Sequence, residues 1–266
     1  MDKINVIILS CANFSDMWPN ITFLYKKYWP EGYDNMHIIT DGLALNGIPN
    51  PFNLIVIHED MSDRLINFLK SCTTDYVFLS FDDYYLKKSI NHNDIVSLVN
   101  EMKKEKIDYC RLFSKPYVMS KKMGIHRLKK LPLKKVYEVN FYPCIWKKDS
   151  LLSVLKPHED IWKTEARLTR RAHEKQLECV YISGNKFFPF VDVVRKGKYL
   201  RSSYRYLKRN KLFISDRKKR SLRETITLFF QSIASKLLPK SLKNIVKKIL
   251  RKKGFTFFSD YANSED

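Results

Sequence analysis

Residues 76–85 read YVFLSFDDYY. An uncharged, mostly apolar run meets two adjacent carboxylates, Asp82 and Asp83. A run of this length and composition marks a strand buried on both faces, as in a parallel sheet. The pattern recurs on both sides. Asn5–Ser10 (NVIILS) is a second run, Met36–Thr40 (MHIIT) a third that ends at Asp41-Gly42, and Asn53–Ile57 (NLIVI) a fourth. Asp108–Phe113 (DYCRLF) follows. Between them, Asp16–Trp29 carries Trp18, Ile21, Leu24, Tyr25 and Tyr28 at helical spacing. Ser62–Ser71 (SDRLINFLKS), with Ser62 as expected N-cap, and His92–Glu105 also read as helices. This alternation predicts an α/β domain with a mainly parallel central sheet flanked by helices. Ligands of such sheets bind at the carboxyl ends of the strands, where Ser10-Cys11, Asp41 and Asp82-Asp83 fall. Further on, Lys115–Lys135 reads as a basic irregular loop or lid and Asn140–Lys147 (NFYPCIWK) as a strand. Asp149–Leu155 reads as a short helix, and Lys156–Arg171 as a turn at Pro157 continuing into a helix. Cys179–Ile182 and Phe187–Val194 read as late strands.

The chain has 266 residues, 44% of them hydrophobic and 29% charged, which excludes disorder throughout and allows a full core without disulfides or structural metals. Five widely spaced cysteines with no CxxC pair argue against a zinc module or a disulfide framework and for a reducing, cytoplasmic compartment. The N-terminal apolar run is too short for a signal peptide, and no apolar stretch reaches the roughly 18 residues of a membrane span. The net charge of +21 is unevenly placed. Residues 1–194 hold 28 basic and 23 acidic residues, whereas residues 195–253 hold 21 basic and 2 acidic ones. Two domains are therefore expected, 1–194 and a basic C-terminal segment, 195–266. A polyanion is the natural partner of the second.

Adjacent carboxylates after a buried strand are costly unless a cation neutralises them. Hard divalent ions take carboxylate oxygens and bridge them to diphosphates, so Asp82 and Asp83 are candidate ligands of Mn²⁺ or Mg²⁺. The competing reading is a solvated loop in which one aspartate caps the next helix. A second acidic group, Glu159, Asp160 and Glu165, lies at a helix start. One of these could act as general base toward an acceptor hydroxyl, or they could simply complement the helix dipole. Arg64, one turn into a helix, could hold a diphosphate bidentately or pair with Asp60 or Asp63 at the surface. Trp146 and Trp162 are candidates for packing on sugar faces or for the core. Cys11 has no matching His/Asn arrangement and reads as a small buried residue. There is no HExxH, no GxxxxGK[ST] and no GxGxxG, so zinc-protease, P-loop and dinucleotide readings lack support.

These residues together resemble a bacterial group of glycosyltransferases with the Rossmann-like GT-A fold, found in capsule, O-antigen (lipopolysaccharide) and exopolysaccharide assembly. Ser10, Cys11, Asp16, Trp18, Tyr28, Trp29 and Pro30 match its opening, with Ala12 in place of the usual acid. Thr40-Asp41 match its second strand end, and Ser62, Arg64 and Leu65 its S-x-R-L helix start. Asp82, Asp83 and Tyr84 match its DDYF, with Tyr85 for Phe. Pro143, Ile145, Trp146, Lys147, Leu151 and Leu152 match a later segment. Glu159, Trp162 and Glu165 match an E-S-P-W-x-x-E element, with Asp160 and Ile161 replacing Ser and Pro. The resemblance spans residues 4–192. It implies a metal-dependent hexosyltransferase that takes a nucleotide-diphosphate sugar of the UDP class. It places Asp83 and Asp82 at the metal and Ser10, Cys11, Asp41, Arg64, Asp82 and Trp146 at the nucleotide-sugar. Glu159, Asp160 and Glu165 stay as alternative bases. A nucleotidyltransferase acting on sugar phosphates would share the metal logic, but the glycine-rich basic N-terminal loop of such enzymes is missing.

Ser221–Leu238 and Ser241–Arg251 both show amphipathic periodicity, with Lys and Arg opposite the apolar stripe. Such helices lie in membrane interfaces, each cation near an anionic leaflet contributing on the order of 1 kcal/mol. The alternatives are packing on the catalytic domain or on a twin subunit in a homodimer. The expected protein is thus a glycosyltransferase peripheral to the inner face of the cytoplasmic membrane. Its acceptor would be a lipid-linked saccharide, its anchor an anionic surface met through residues 195–253, with no specific nucleic acid. The alternative is a non-catalytic basic membrane- or RNA-binding protein on an α/β scaffold.

Overall fold

The apolar runs become the middle of one sheet. A computed structural model describes residues 4–114, 122–124, 128–183 and 187–226, and the chain divides into two units, Met1–Val191 and Asp192–Asp266. In chain order the first unit holds β1 (Asn5–Leu9), a 3₁₀ turn (Ala12–Met17), α1 (Trp18–Tyr28), α2 (Pro30–Tyr33), β2 (Met36–Thr40), β3 (Leu54–Val56) and α3 (Met61–Ser71). It continues with β4 (Tyr76–Phe81), β5 (Tyr84–Leu86), α4 (His92–Lys104), β6 (Tyr109–Arg111), β7 (Lys122–Met123), β8 (Leu128–Lys130) and β9 (Cys144–Lys147). Last come α5 (Lys148–Val154), α6 (Ile161–Glu174), β10 (Cys179–Ile182) and β11 (Phe190–Asp192), which ends on the first residue of the second unit.

The sheet order is β3-β2-β1-β4-β9-β6-β10-β8-β7. β3, β2, β1, β4, β6 and β10 run one way, and β9 lies antiparallel between β4 and β6. This is the mainly parallel α/β architecture that the alternation predicts. Helices cover both faces, which is why the central strands are apolar without alternation. Ile7, Leu9, Val77 and Leu79 face a core shared with Leu65 of α3, Leu151 of α5 and Leu168 of α6. Their neighbours Val6, Ile8 and Phe78, equally buried, turn to the opposite face.

Several local expectations need correction. Within the segment expected to be an irregular loop at 115–135, β7 and β8 pair antiparallel and β8 extends the sheet beside β10, while residues 115–121 and 125–127 lie outside the described residues. The strand expected at 187–194 breaks into β11 and a separate β12 (Val194–Arg195). The helix expected from Asp16 begins at Trp18, after the 3₁₀ turn. Ser62 does not cap α3: Asp60 holds the N-cap position, and Ser62 Oγ instead accepts the Glu159 N–H at 2.9 Å. All five cysteines are free.

The second unit contains β12, β13 (Lys198–Tyr199) and α7 (Arg201–Arg209), a helix the sequence reading did not anticipate. β12 and β13 pair antiparallel, and Arg220 Nη2 donates to the Arg195 carbonyl at 3.0 Å. Most of the expected amphipathic helices, from residue 227 on, lie outside the described residues. Among the described residues no helix is long and apolar enough to cross a membrane.

Trp29 explains the Tyr-Trp-Pro stretch. Its fully buried ring meets Phe78 of β4 edge-on at 5.2 Å and Phe188 at 6.0 Å, and its Nε1 donates to His92 Nδ1 at 3.2 Å. Gly32 in α2 lies against the same ring, and a Cβ there would come within 2.2 Å of it. Gly32→Ala should therefore lower stability by about 1–3 kcal/mol through overpacking. Urea denaturation checks this; wild-type stability would show that α2 can shift away from Trp29 without cost.

Candidate functional site

The carboxyl ends of β1, β2 and β4 meet at Ser10. Its Oγ donates to Asp82 Oδ2 and accepts the Trp18 indole N–H at 2.7 Å. Its carbonyl accepts Arg64 Nη1 at 2.9 Å. One residue further, the Ala12 N–H donates to Asp41 Oδ1 at 2.7 Å. Ser10, Cys11, Asp41, Arg64 and Asp82 are thus brought together from four elements. Trp18, expected on a helix face and as part of the opening motif, also orients Ser10 through its indole N–H.

Asp82 and Asp83 form the two-residue turn between β4 and β5. Asp82 is buried, Asp83 half-buried and Asp41 exposed. Arg64, buried at 6% exposure, brings a positive charge among these carboxylates. It does not form the surface pair with Asp60 or Asp63, because its side chain turns inward to Ser10. Its Nε is buried with no hydrogen-bond partner among the described residues. Burial, then the Asp82 and Asp41 charges, push the Cys11 thiol up to about 11, against the opposing effect of Arg64. The thiol therefore stays protonated at neutral pH, which removes it as a nucleophile.

The turn offers oxygen donors only, and one Asp82 oxygen is already oriented by Ser10. That donor chemistry suits Mg²⁺ or Mn²⁺ rather than a soft ion. A second group with metal-ligating atoms, Asp60, Asp63 and His158, brings its ligand atoms within 4.8 Å of one another. It is largely exposed, and Asp63 Oδ2 already accepts the His158 N–H at 2.7 Å.

The three candidate bases have separate environments. Glu159 is buried and accepts Arg167 Nη1 at 2.6 Å and Arg171 Nη1 and Nη2 at 2.8 and 2.6 Å. Burial pushes its carboxyl up, but the bonds from Arg171 and Arg167 outweigh burial and hold it below the ordinary range. Glu159 is thus corrected from a base to a staple: it ties α6 internally, while its backbone joins Ser62 of α3. Asp160 is the N-cap of α6, exposed, with Oδ1 accepting the Lys163 N–H at 2.8 Å. Glu165 is buried, its Oε1 accepts the Phe141 N–H at 3.1 Å, and burial pushes its carboxyl up to about 7.

Trp146 is a second correction. It lies in the middle of β9, fully buried, with its ring 4.6 Å from that of Tyr109. A side chain enclosed between β4 and β6 belongs to the core and lines no nucleotide pocket. Trp162, on the first turn of α6, is half exposed.

No protein-family profile matches the chain, and no curated protein matches it in sequence. Among solved structures, S. aureus TarS in complex with UDP-GlcNAc is similar at 13% identity and a TM-score of 0.47, over 74% of this chain and 60% of that chain. The bifunctional IspDF from Campylobacter jejuni gives 12% and 0.43, over 71% and 52%. A cytidylyltransferase from Leptospira borgpetersenii gives 10% and 0.43, over 83% and 100%. The chain spans less than two thirds of the TarS and IspDF chains. At this distance the chemistry of the site rests on its own residues.

Glu165 has a measurable consequence. Its carboxyl sits at about 7 when folded against an ordinary 4.5, so between those values the folded state holds more protons than the unfolded one. Stability should fall as pH rises through that window, by on the order of 2–3 kcal/mol. Glu165→Gln should flatten the slope in denaturation curves taken from pH 4.5 to 7.5; an unchanged slope would show that Glu165 is not its source.

Proposed function

We propose that this protein transfers one sugar from a nucleotide-diphosphate donor of the UDP class to a lipid-linked saccharide in cell-surface polysaccharide synthesis. The observation that carries this reading is the Asp82-Asp83 turn at the carboxyl end of β4, with buried Asp82 tied to Ser10 and the Arg64 guanidinium held beside them. Carboxylates and a buried guanidinium converging at the ends of parallel strands suit a metal-bound diphosphate.

Asp83 with Asp82 would hold Mn²⁺ or Mg²⁺, which when bound supplies charge neutralisation at the departing diphosphate. The Arg64 Nε, buried without a partner among the described residues, can donate to a phosphate oxygen. Asp41, exposed at the end of β2, offers an acceptor oxygen to the nucleoside. Of the three acidic candidates Asp160 alone is exposed and free of an arginine partner, so it is assigned the acceptor proton. Its Oδ1 accepts the N-cap bond from Lys163 N–H, and its Oδ2, 4.0 Å from the exposed Lys163 ammonium, is the oxygen assigned to act.

Isothermal titration of UDP, with GDP as control and with or without Mn²⁺, tests the site on the full chain. UDP should bind only with metal, and Asp83→Ala should weaken it at least about tenfold without changing the melting temperature. Metal-independent binding, or binding that survives the substitution, would remove the turn from the donor site.

The membrane part of the proposal rests on charge and on the amphipathic pattern. Between 192 and 226 the chain carries 13 basic and 3 acidic residues, and Leu222 and Ile226 are exposed among them. The protein should sediment with anionic vesicles and not with neutral ones, and high salt should weaken the association. Salt-sensitive RNA binding without vesicle binding would instead support the non-catalytic basic protein.

A further inference from the structure

Five aromatic rings, two of them from the residues that flank the aspartate turn, pack against one another in series. Phe81 and Tyr84 bracket Asp82-Asp83, with ring centroids 6.3 Å apart. Tyr84 meets Tyr142 at 5.2 Å and Phe190 at 5.1 Å, both edge-on. Phe113 meets Tyr142 at 5.4 Å and Phe190 at 5.7 Å. Tyr84 is buried at the centre, and Phe81, Phe113, Tyr142 and Phe190 are half-buried.

The sheet order explains the placement. β1 and β2 lie on one flank of β4; β9 and β6 lie on the other. Because β9 is antiparallel, the register of Leu79 opposite Cys144 carries Tyr142, just before the strand, to the level of Phe81. Phe113, just after parallel β6, reaches the same end of the sheet. The rings are also held from below. Arg111, fully buried, lies 5.1 Å from the Phe113 ring and donates from Nε to the Phe113 carbonyl at 3.2 Å. The Tyr142 N–H donates to buried Asn140 Oδ1 at 3.2 Å, and its neighbour Phe141 is held by Glu165.

We infer that Phe81, Tyr84, Phe113, Tyr142 and Phe190 form a platform on which a pyranose ring of the acceptor saccharide stacks. This rests on the donor reading of the aspartate turn and adds the acceptor subsite to it. Four partly exposed rings, Phe81, Phe113, Tyr142 and Phe190, held in place around buried Tyr84, suit a sugar: its C–H face packs on the aromatic surface while its hydroxyls reach polar groups at the rim. A nucleobase would also stack, but Ser10, Asp41 and Arg64, the groups assigned to the nucleotide, lie on the opposite flank of β4.

The test uses the full chain with Mg²⁺ and UDP and, as probes, the methyl glycosides of glucose, galactose, N-acetylglucosamine and rhamnose. Saturation-transfer NMR reads which sugar protons touch the protein, and titration of UDP runs in parallel on every variant. At least one glycoside should give signals from its C–H face. Its affinity should fall roughly tenfold in Tyr142→Leu and in Phe113→Leu and survive in Tyr142→Phe, with UDP affinity unchanged. The two leucine variants guard against one of them failing to fold, which their melting temperatures show. Equal glycoside binding in all variants, or none in wild type that binds UDP, overturns the platform alone. A parallel loss of UDP affinity in the leucine variants overturns it in favour of base stacking. Failure of wild type to bind UDP overturns the donor reading and the platform with it.

Discussion

The hydrogen bond from Ser10 to Asp82 joins the ends of β1 and β4, and the remaining geometry of the site follows from it. A carboxylate at the end of a buried strand needs either solvent or a donor. Here it has the Ser10 hydroxyl, which is itself oriented by the Trp18 indole. The same residue's carbonyl takes the Arg64 guanidinium, so one residue just after β1 holds both a carboxylate and a cation. The position of Arg64 in turn requires α3 to begin where it does. That start is tied to α6 by the reciprocal Ser62–Glu159 backbone contacts.

Glu159 shows how a carboxylate can look catalytic in sequence and be structural in space. Two arginines about two and three helical turns into α6 reach back to it, and all three are buried. Such a cluster is costly to desolvate and costly to break, and it fixes the geometry of the segment that carries it. The helix start is thereby held rigid while Asp160, the next residue, stays at the surface. Adjacent acids acquire different chemistry because one faces the core and the other faces water.

The antiparallel β9 has the largest effect on the other half of the site. A parallel strand at that position would carry residue 142 to the amino end of the sheet. Reversed, it places Tyr142 beside Phe81 and the aspartate turn, and it leaves Trp146 enclosed in mid-strand. The aromatic cluster and the burial of Trp146 are therefore two results of one strand direction.

Much of this was legible in the sequence, and for a physical reason. Burial on both faces of a sheet demands an uninterrupted apolar run, so β1, β2 and β4 announce themselves, as does the acid pair that ends β4. The charge of residues 195–253 is likewise a property of composition alone. What sequence could not decide depends on which distant residues meet. Strand direction, the inward turn of Arg64 and the convergence of Phe113, Tyr142 and Phe190 arise between segments far apart in the chain, and the capture of Glu159 by Arg167 and Arg171 depends on how the segment before α6 folds back onto that helix. Local periodicity records whether a side chain is buried, and only the tertiary structure records against what.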